Sequence, residues 1–180
     1  MIDCYTWPTP NGHKVHIMLE ETGAPYTVHA INIGEGEQFK EDFLKISPNN
    51  KMPAIVDQDG PGGKPISVFE TGAILMYLAE KSGTLMPQEA GARYEVLQWL
   101  MMQIGGFGPL MGQLGHFEMF AKEDIPYAKK RYHTEVDRLL AVLDDRLEDN
   151  QFMAGDDYSI ADIATFPWVR FSDKVGFKWE

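Results

Sequence analysis

The chain reads as an α/β unit of order βαβαββα over residues 1–83, followed through a linker at 84–88 by an all-helical unit over residues 89–180. Three observations predict this division. Short runs rich in β-branched and aromatic residues alternate with helical periods only in the first half. Glycine and proline clusters at 8–12, 34–36 and 59–63 punctuate that half, as turns between short elements require. Beyond Gln88 the strand patterns end and apolar residues recur at helical spacing.

In chain order, Ile2 to Thr6 is the first strand. Pro8-Thr9-Pro10-Asn11-Gly12 then turns the chain into a helix that runs to about Thr22, with Gly23 as its stop. Tyr26 to Ile31 is a second strand and residues 34–37 a loop, and apolar residues at 39, 43, 44 and 46 predict a short helix from Phe39 to Ile46. Ala54 to Val56 and Ile66 to Phe69 flank a glycine-rich stretch suited to a hairpin longer than the two-residue minimum. Thr71 to Ser82 is a helix ended by Gly83. This is the element order of thioredoxin. In the second half a long helix, about Glu89 to Phe117, is interrupted by Gly105-Gly106-Phe107-Gly108-Pro109, which should bend it or thin its surface for close packing. A helix over about Ile125 to Leu147 aligns Val136, Leu139, Leu140, Leu143 and Leu147 on one face. Ser159-Ile160-Ala161-Asp162, a capping box with Asp for the usual Glu, opens another near Ile160.

With 180 residues and 44% hydrophobic content the chain can bury a substantial core. Its net charge of −11 opposes nonspecific binding to nucleic acid or to anionic membranes, so neither is expected as a partner. One cysteine, Cys4, allows no internal disulfide and no multi-cysteine metal site, which fits a reducing compartment and predicts a cytoplasmic protein with no metal. Neither a secretory leader nor an apolar run of membrane-spanning length is visible.

Two segments carry most of the functional signal. In Ser47-Pro48-Asn49-Asn50-Lys51-Met52-Pro53-Ala54-Ile55, Pro53 stands where a strand begins, which suits a turn or cis peptide that leaves the Met52 backbone open to an extended ligand. In Val68-Phe69-Glu70-Thr71-Gly72, an acid and a hydroxyl stand at a helix N-terminus, where N–H groups and the helix dipole hold a carboxylate. Glu70 would take an amine, Thr71 a carboxylate and Met52 the middle of a small peptide. Glutathione has that shape. The turn at Thr9-Pro10-Asn11-Gly12 occupies the place where thioredoxin-like units carry redox cysteines, yet it holds none; Thr9 and Asn11 can instead donate to a thiolate brought by a ligand. Asn11 is equally suited to capping the helix. Cys4, inside the first strand, is expected buried and inert. Gln38 and Lys51 can reach a terminal carboxylate, although each alone reads as a solvated residue. His13 and His16, three apart on a helix, lack further ligands for a metal. Met101, Met102, Met111 and Met119 read as core, with an adaptable pocket as the alternative. Lys129-Lys130-Arg131 reads as a solvated helix face.

The combination of Thr9-Pro10-Asn11-Gly12-His13-Lys14, Gly36-Glu37-Gln38-Phe39, the 46–56 and 69–74 segments, Leu97-Gln98-Trp99-Leu100 with the 105–109 glycines, and Ser159-Ile160-Ala161-Asp162-Ile163-Ala164 resembles the bacterial nu-class glutathione transferases, relatives of a yeast prion-forming nitrogen regulator. The resemblance covers nearly the whole chain. It implies a homodimer whose thioredoxin-like N-terminal domain precedes a helical glutathione-transferase C-terminal domain, with glutathione as cosubstrate bound between the two. By position it implies Thr9 and Asn11 at the glutathione sulfur, Gln38 and Lys51 at the glycyl end, Met52 and Pro53 at the cysteinyl backbone, Glu70 and Thr71 at the γ-glutamyl end, and Arg131 reaching toward the partner subunit's glutathione. The activity implied is glutathione-dependent disulfide reduction without a protein cysteine. Conjugation of electrophiles or reduction of hydroperoxides, with Trp7, Phe107 and the methionines lining an acceptor pocket, is the alternative enzyme reading; a noncatalytic glutathione-binding regulator is the alternative of another class. The helical domain also reads as shortened relative to its relatives.

Overall fold

A computed structural model describes residues 1–178. The chain divides into two compact units, Met1–Thr84 and a second beginning at Leu85. The first contains a four-stranded mixed sheet of order β2-β1-β3-β4, built from β1 (Ile2–Thr6), β2 (Tyr26–Ala30), β3 (Ala54–Asp57) and β4 (Ile66–Phe69). β1 runs parallel to β2 and antiparallel to β3, and β4 closes an antiparallel pair with Ala54 opposite Phe69. Helix α1 (Pro10–Thr22) crosses from β1 to β2, as a parallel pair requires. One face of the sheet holds Ile2, Cys4 and Ile55, all buried; Ala54, buried too, points to the opposite face, and α1 contributes Val15, Met18 and Leu19 to the core.

Helix stops fall where the glycines predict them: Gly23 ends α1 at φ 61° and Gly83 ends α3 (Thr71–Ser82) at φ 71°, the left-handed conformation that glycine adopts without a Cβ penalty. The segment expected as a helix from Phe39 to Ile46 differs. Only Glu41–Leu44 is α-helical (α2), preceded by two 3₁₀ turns, Ile33–Glu35 and Glu37–Phe39, that meet at Gly36 with φ 73°. Phe39 points out at 61% exposure while Phe43 is buried, so the apolar spacing there is not one helical stripe.

In the second unit α4 (Ala90–Met102) packs on α7 (Ile160–Phe171), and α5 (Gly108–Gly115) on α6 (Pro126–Glu148). The predicted interruption is a π-helical turn, Gln103–Phe107, between α4 and α5. Of the glycines in the 105–109 segment, Gly108 is in close packing, since a Cβ there would stand 2.7 Å from the Gln103 side chain, whereas a Cβ on Gly105 or Gly106 meets nothing within 4 Å. Gly115, further along, is packed as closely, a Cβ there standing 2.9 Å from the Phe171 ring. On α6, Val136, Leu139, Leu140 and Leu143 are buried, but Leu147 is 45% exposed. The Ser159–Asp162 capping box forms as expected, Ser159 N–H donating to Asp162 Oδ2 at 2.9 Å. Leu85 and Met86, expected in the linker, belong here: the Leu85 carbonyl accepts the Ile160 N–H at 3.1 Å and Met86 is buried. Of Met101, Met102, Met111 and Met119, only Met111 is fully buried; Met101 and Met119 are exposed. No helix of the described residues is long and apolar enough to cross a membrane.

Candidate active site

Thr9, not Asn11, caps α1. Its backbone is extended (φ −135°, ψ 163°) and its Oγ1 accepts the Gly12 N–H at 3.1 Å. Asn11 lies one residue inside the helix and is half-buried. The turn is held from below: the Thr9 N–H donates to the Trp7 carbonyl at 2.7 Å, and Gly12 is buried where a Cβ would stand 2.3 Å from that same oxygen and 2.7 Å from Thr6 Oγ1. Glycine at position 12 is therefore what lets the helix begin so close to the end of β1. The Thr9 hydroxyl proton points to Met52 Sδ at 3.8 Å. A thioether is a weak acceptor, so an incoming thiolate takes that proton at little cost.

Met52–Pro53 is a cis peptide, and Pro53 is buried at the start of β3. The Met52 N–H and C=O have no backbone partner among the described residues, although the neighbouring Lys51 carbonyl accepts the Ser47 hydroxyl at 2.7 Å. An unpaired donor and acceptor beside a sheet are what an extended peptide can pair with. The register then carries the site across the sheet: Ala54, two residues past Met52, faces Phe69, and Glu70 follows as the N-cap of α3. Glu70 has φ 71°, ψ 121°, a conformation that L-residues rarely adopt and that persists at sites where geometry is over-determined. Its exposed carboxylate lies 3.5 Å from Asn49 Nδ2, and its backbone carbonyl accepts the Ile74 N–H at 2.9 Å. Thr71 opens α3, its side chain largely buried.

The site also includes a residue given no role from sequence. Lys14, one turn into α1, is 1% exposed, and its Nζ lies 3.4 Å from Thr71 Oγ1. Burial pulls its pKa down to about 7, against the attraction of Glu70. The signal was available: Lys14 lies four residues before Met18 on the buried stripe of α1, a position that rarely holds a lysine without a reason. Thus α1, the turn before β3 and the β4–α3 corner are tied together by Thr9–Met52 and Lys14–Thr71.

The other candidates take no part in those two contacts. Gln38 is in the 3₁₀ turn Glu37–Phe39, half-buried, with its Oε1 shielded from solvent and without a hydrogen-bond partner among the described residues. The Lys51 side chain is exposed, and Arg131 is exposed on α6 of the second unit. Cys4 is fully buried, and burial pushes its thiol up to about 12. Phe107, which the alternative reading places in an acceptor pocket, is fully buried. His13 and His16 stack edge-on with ring centroids 6.4 Å apart, and burial lowers the His16 pKa.

A thioredoxin-order sheet with a cis-proline before β3 and an acid at the α3 N-terminus, followed in the chain by a helical unit, defines a glutathione-transferase architecture. The family models agree: the glutathione S-transferase N-terminal domain matches residues 2–80 and the C-terminal domain residues 97–180. The chain is 52% identical over 171 residues to the disulfide-bond oxidoreductase YfcG of Escherichia coli K12, covering 94% of this chain and 80% of that relative. It is 46% identical over 173 residues to the disulfide-bond oxidoreductase YghU of the same organism, covering 93% of this chain but 59% of that one. A crystal structure of a glutathione transferase from Pseudomonas putida, with one glutathione disulfide bound per subunit, superposes with a TM-score of 0.92 at 50% identity, covering 98% of this chain and 80% of that one. The chain belongs to the glutathione S-transferase family.

Proposed function

We propose that this protein reduces small disulfides with glutathione, using the bound thiolate of glutathione as nucleophile. The observation that carries the reading is the disposition of sulfur. The only cysteine in the chain is buried with its thiol pushed up to about 12, while the helix mouth where a redox thiol normally sits presents the Thr9 hydroxyl and Asn11. A reaction at this place needs its thiolate from the ligand. The names of YfcG and YghU, and the glutathione disulfide in the Pseudomonas putida structure, support the same reading.

In this account Thr9 and Asn11 donate to the glutathione sulfur at the start of α1. Met52, following Lys51 and preceding Pro53, pairs with the cysteinyl backbone. Glu70 takes the γ-glutamyl amine, Thr71 its carboxylate, and Gln38 and Lys51 the glycyl carboxylate. The thiolate attacks one sulfur of the substrate disulfide, forming a mixed disulfide and releasing the other sulfur as a thiolate that takes a proton. A second glutathione thiolate then attacks the mixed disulfide, giving glutathione disulfide and the second substrate thiol. The protein contributes orientation and stabilisation of the anion. The reading extends to a cytoplasmic homodimer in which Arg131 serves the partner subunit's glutathione; a light-scattering mass and the glutathione affinity of Arg131→Glu test those two parts.

The deciding experiment is reduction of a model disulfide by glutathione, coupled to glutathione reductase, beside conjugation of an aromatic electrophile on the same preparation. Fast disulfide turnover with weak conjugation is expected. The reverse assigns the protein to conjugation, and silence in both with glutathione bound assigns it to regulation.

A further inference from the structure

A fully buried lysine needs a reason, because a methionine would fill the same volume without desolvating a charge. At Lys14 the geometry supplies one. Nζ is within hydrogen-bond distance of Thr71 Oγ1, and Glu70 is a charged group that acts on it from the β4–α3 corner. On α1 itself, His16 interacts with His13 and with Glu20. A threonine hydroxyl has one proton and two acceptor lone pairs. When Nζ is an ammonium it can only donate to Oγ1, so the Thr71 proton is left to point at a ligand. When Nζ is a neutral amine it can accept that proton, and Thr71 then offers a ligand carboxylate only lone pairs.

We propose that Lys14 is a positioning residue for the γ-glutamyl end of glutathione: as an ammonium it orients the Thr71 hydroxyl outward as a donor and balances the carboxylate bound at the start of α3. The inference rests on the glutathione reading and deepens it. With burial holding Lys14 near neutrality, both forms are present around pH 7. A carboxylate arriving beside it favours the ammonium, so binding takes up a proton.

Isothermal titration of the full chain with S-methylglutathione, in two buffers of different ionisation enthalpy slightly above pH 7, tests this. The blocked sulfur removes thiol ionisation from the proton count. Wild type should take up roughly half a proton on binding. Lys14→Met should bind about ten-fold more weakly and take up none, as expected for losing a charge-assisted contact. Lys14→Arg, charged throughout, should restore affinity without the proton uptake. Absence of uptake by wild type overturns the proposal without any variant. So does a Lys14→Met protein that loses affinity but keeps the uptake, since a merely structural lysine would behave that way. Failure of wild type to bind overturns the glutathione reading and this proposal together, whereas binding without uptake removes only the role of Lys14.

Discussion

Gly12→Ala is the sharpest perturbation of the turn that carries Thr9. The added Cβ would stand 2.3 Å from the Trp7 carbonyl oxygen, short of ordinary carbon–oxygen contact by about 1 Å. The obstacle is backbone, and it is the same oxygen that accepts the Thr9 N–H, so relief must move either α1 or the cap. Ala gains about 1 kcal/mol over Gly in helix propensity. Overpacking of this kind costs about 1–3 kcal/mol, and a backbone obstacle puts the cost at the upper end. The net expectation is a loss of about 1–2 kcal/mol, read as a urea midpoint lower by roughly half a molar. Displacing the Thr9 hydroxyl by a good fraction of an ångström should also lower disulfide turnover by about ten- to a hundred-fold. Gly105→Ala, where a Cβ meets nothing within 4 Å, is the control and should be neutral or slightly stabilising. A Gly12→Ala protein as stable and as active as wild type would show that the turn has slack and that this contact does not place Thr9.

Asn11→Ala should lower disulfide turnover by roughly one to three orders of magnitude, in line with the loss of a donor to a developing anion, while circular dichroism stays unchanged because Thr9 and not Asn11 caps the helix. Asp57→Asn should destabilise the first unit by about 1–3 kcal/mol near pH 7 in chemical denaturation. Burial pushes the Asp57 carboxyl up, but donation from Lys81 at 2.6 Å, Tyr77 at 2.6 Å and the Asp59 N–H at 3.0 Å outweighs it and leaves the pKa below 3.8. A depressed carboxylate stabilises the fold above its unfolded pKa and loses that contribution as pH falls through the folded value, so the gap between wild type and Asp57→Asn should hold at neutral pH and close below about pH 4.

Elements with chemical punctuation were legible in the sequence. Gly23, Gly83 and the Ser159–Asp162 box end or begin helices where local chemistry alone demands it. The Phe39–Ile46 stretch was not, because its apolar residues serve two 3₁₀ turns and one turn of α-helix rather than a single face. The positions of Pro53, Glu70 and Thr71 at strand and helix junctions could be read because backbone geometry there restricts the choice of residue. Two features needed three dimensions: that Thr9 rather than Asn11 accepts the Gly12 N–H, and that Lys14, whose place on the buried stripe of α1 could be read from spacing, meets Thr71 at the start of α3. Close packing by glycine was legible at Gly108 but not at Gly115, whose partner Phe171 lies far along the chain.

In the proposed mechanism the reacting thiolate belongs to the ligand. The decisive assay is glutathione-dependent reduction of a small disulfide by Cys4→Ala beside wild type. Turnover per folded molecule should equal that of wild type; loss of turnover with Cys4, or no turnover in either protein, would contradict the account.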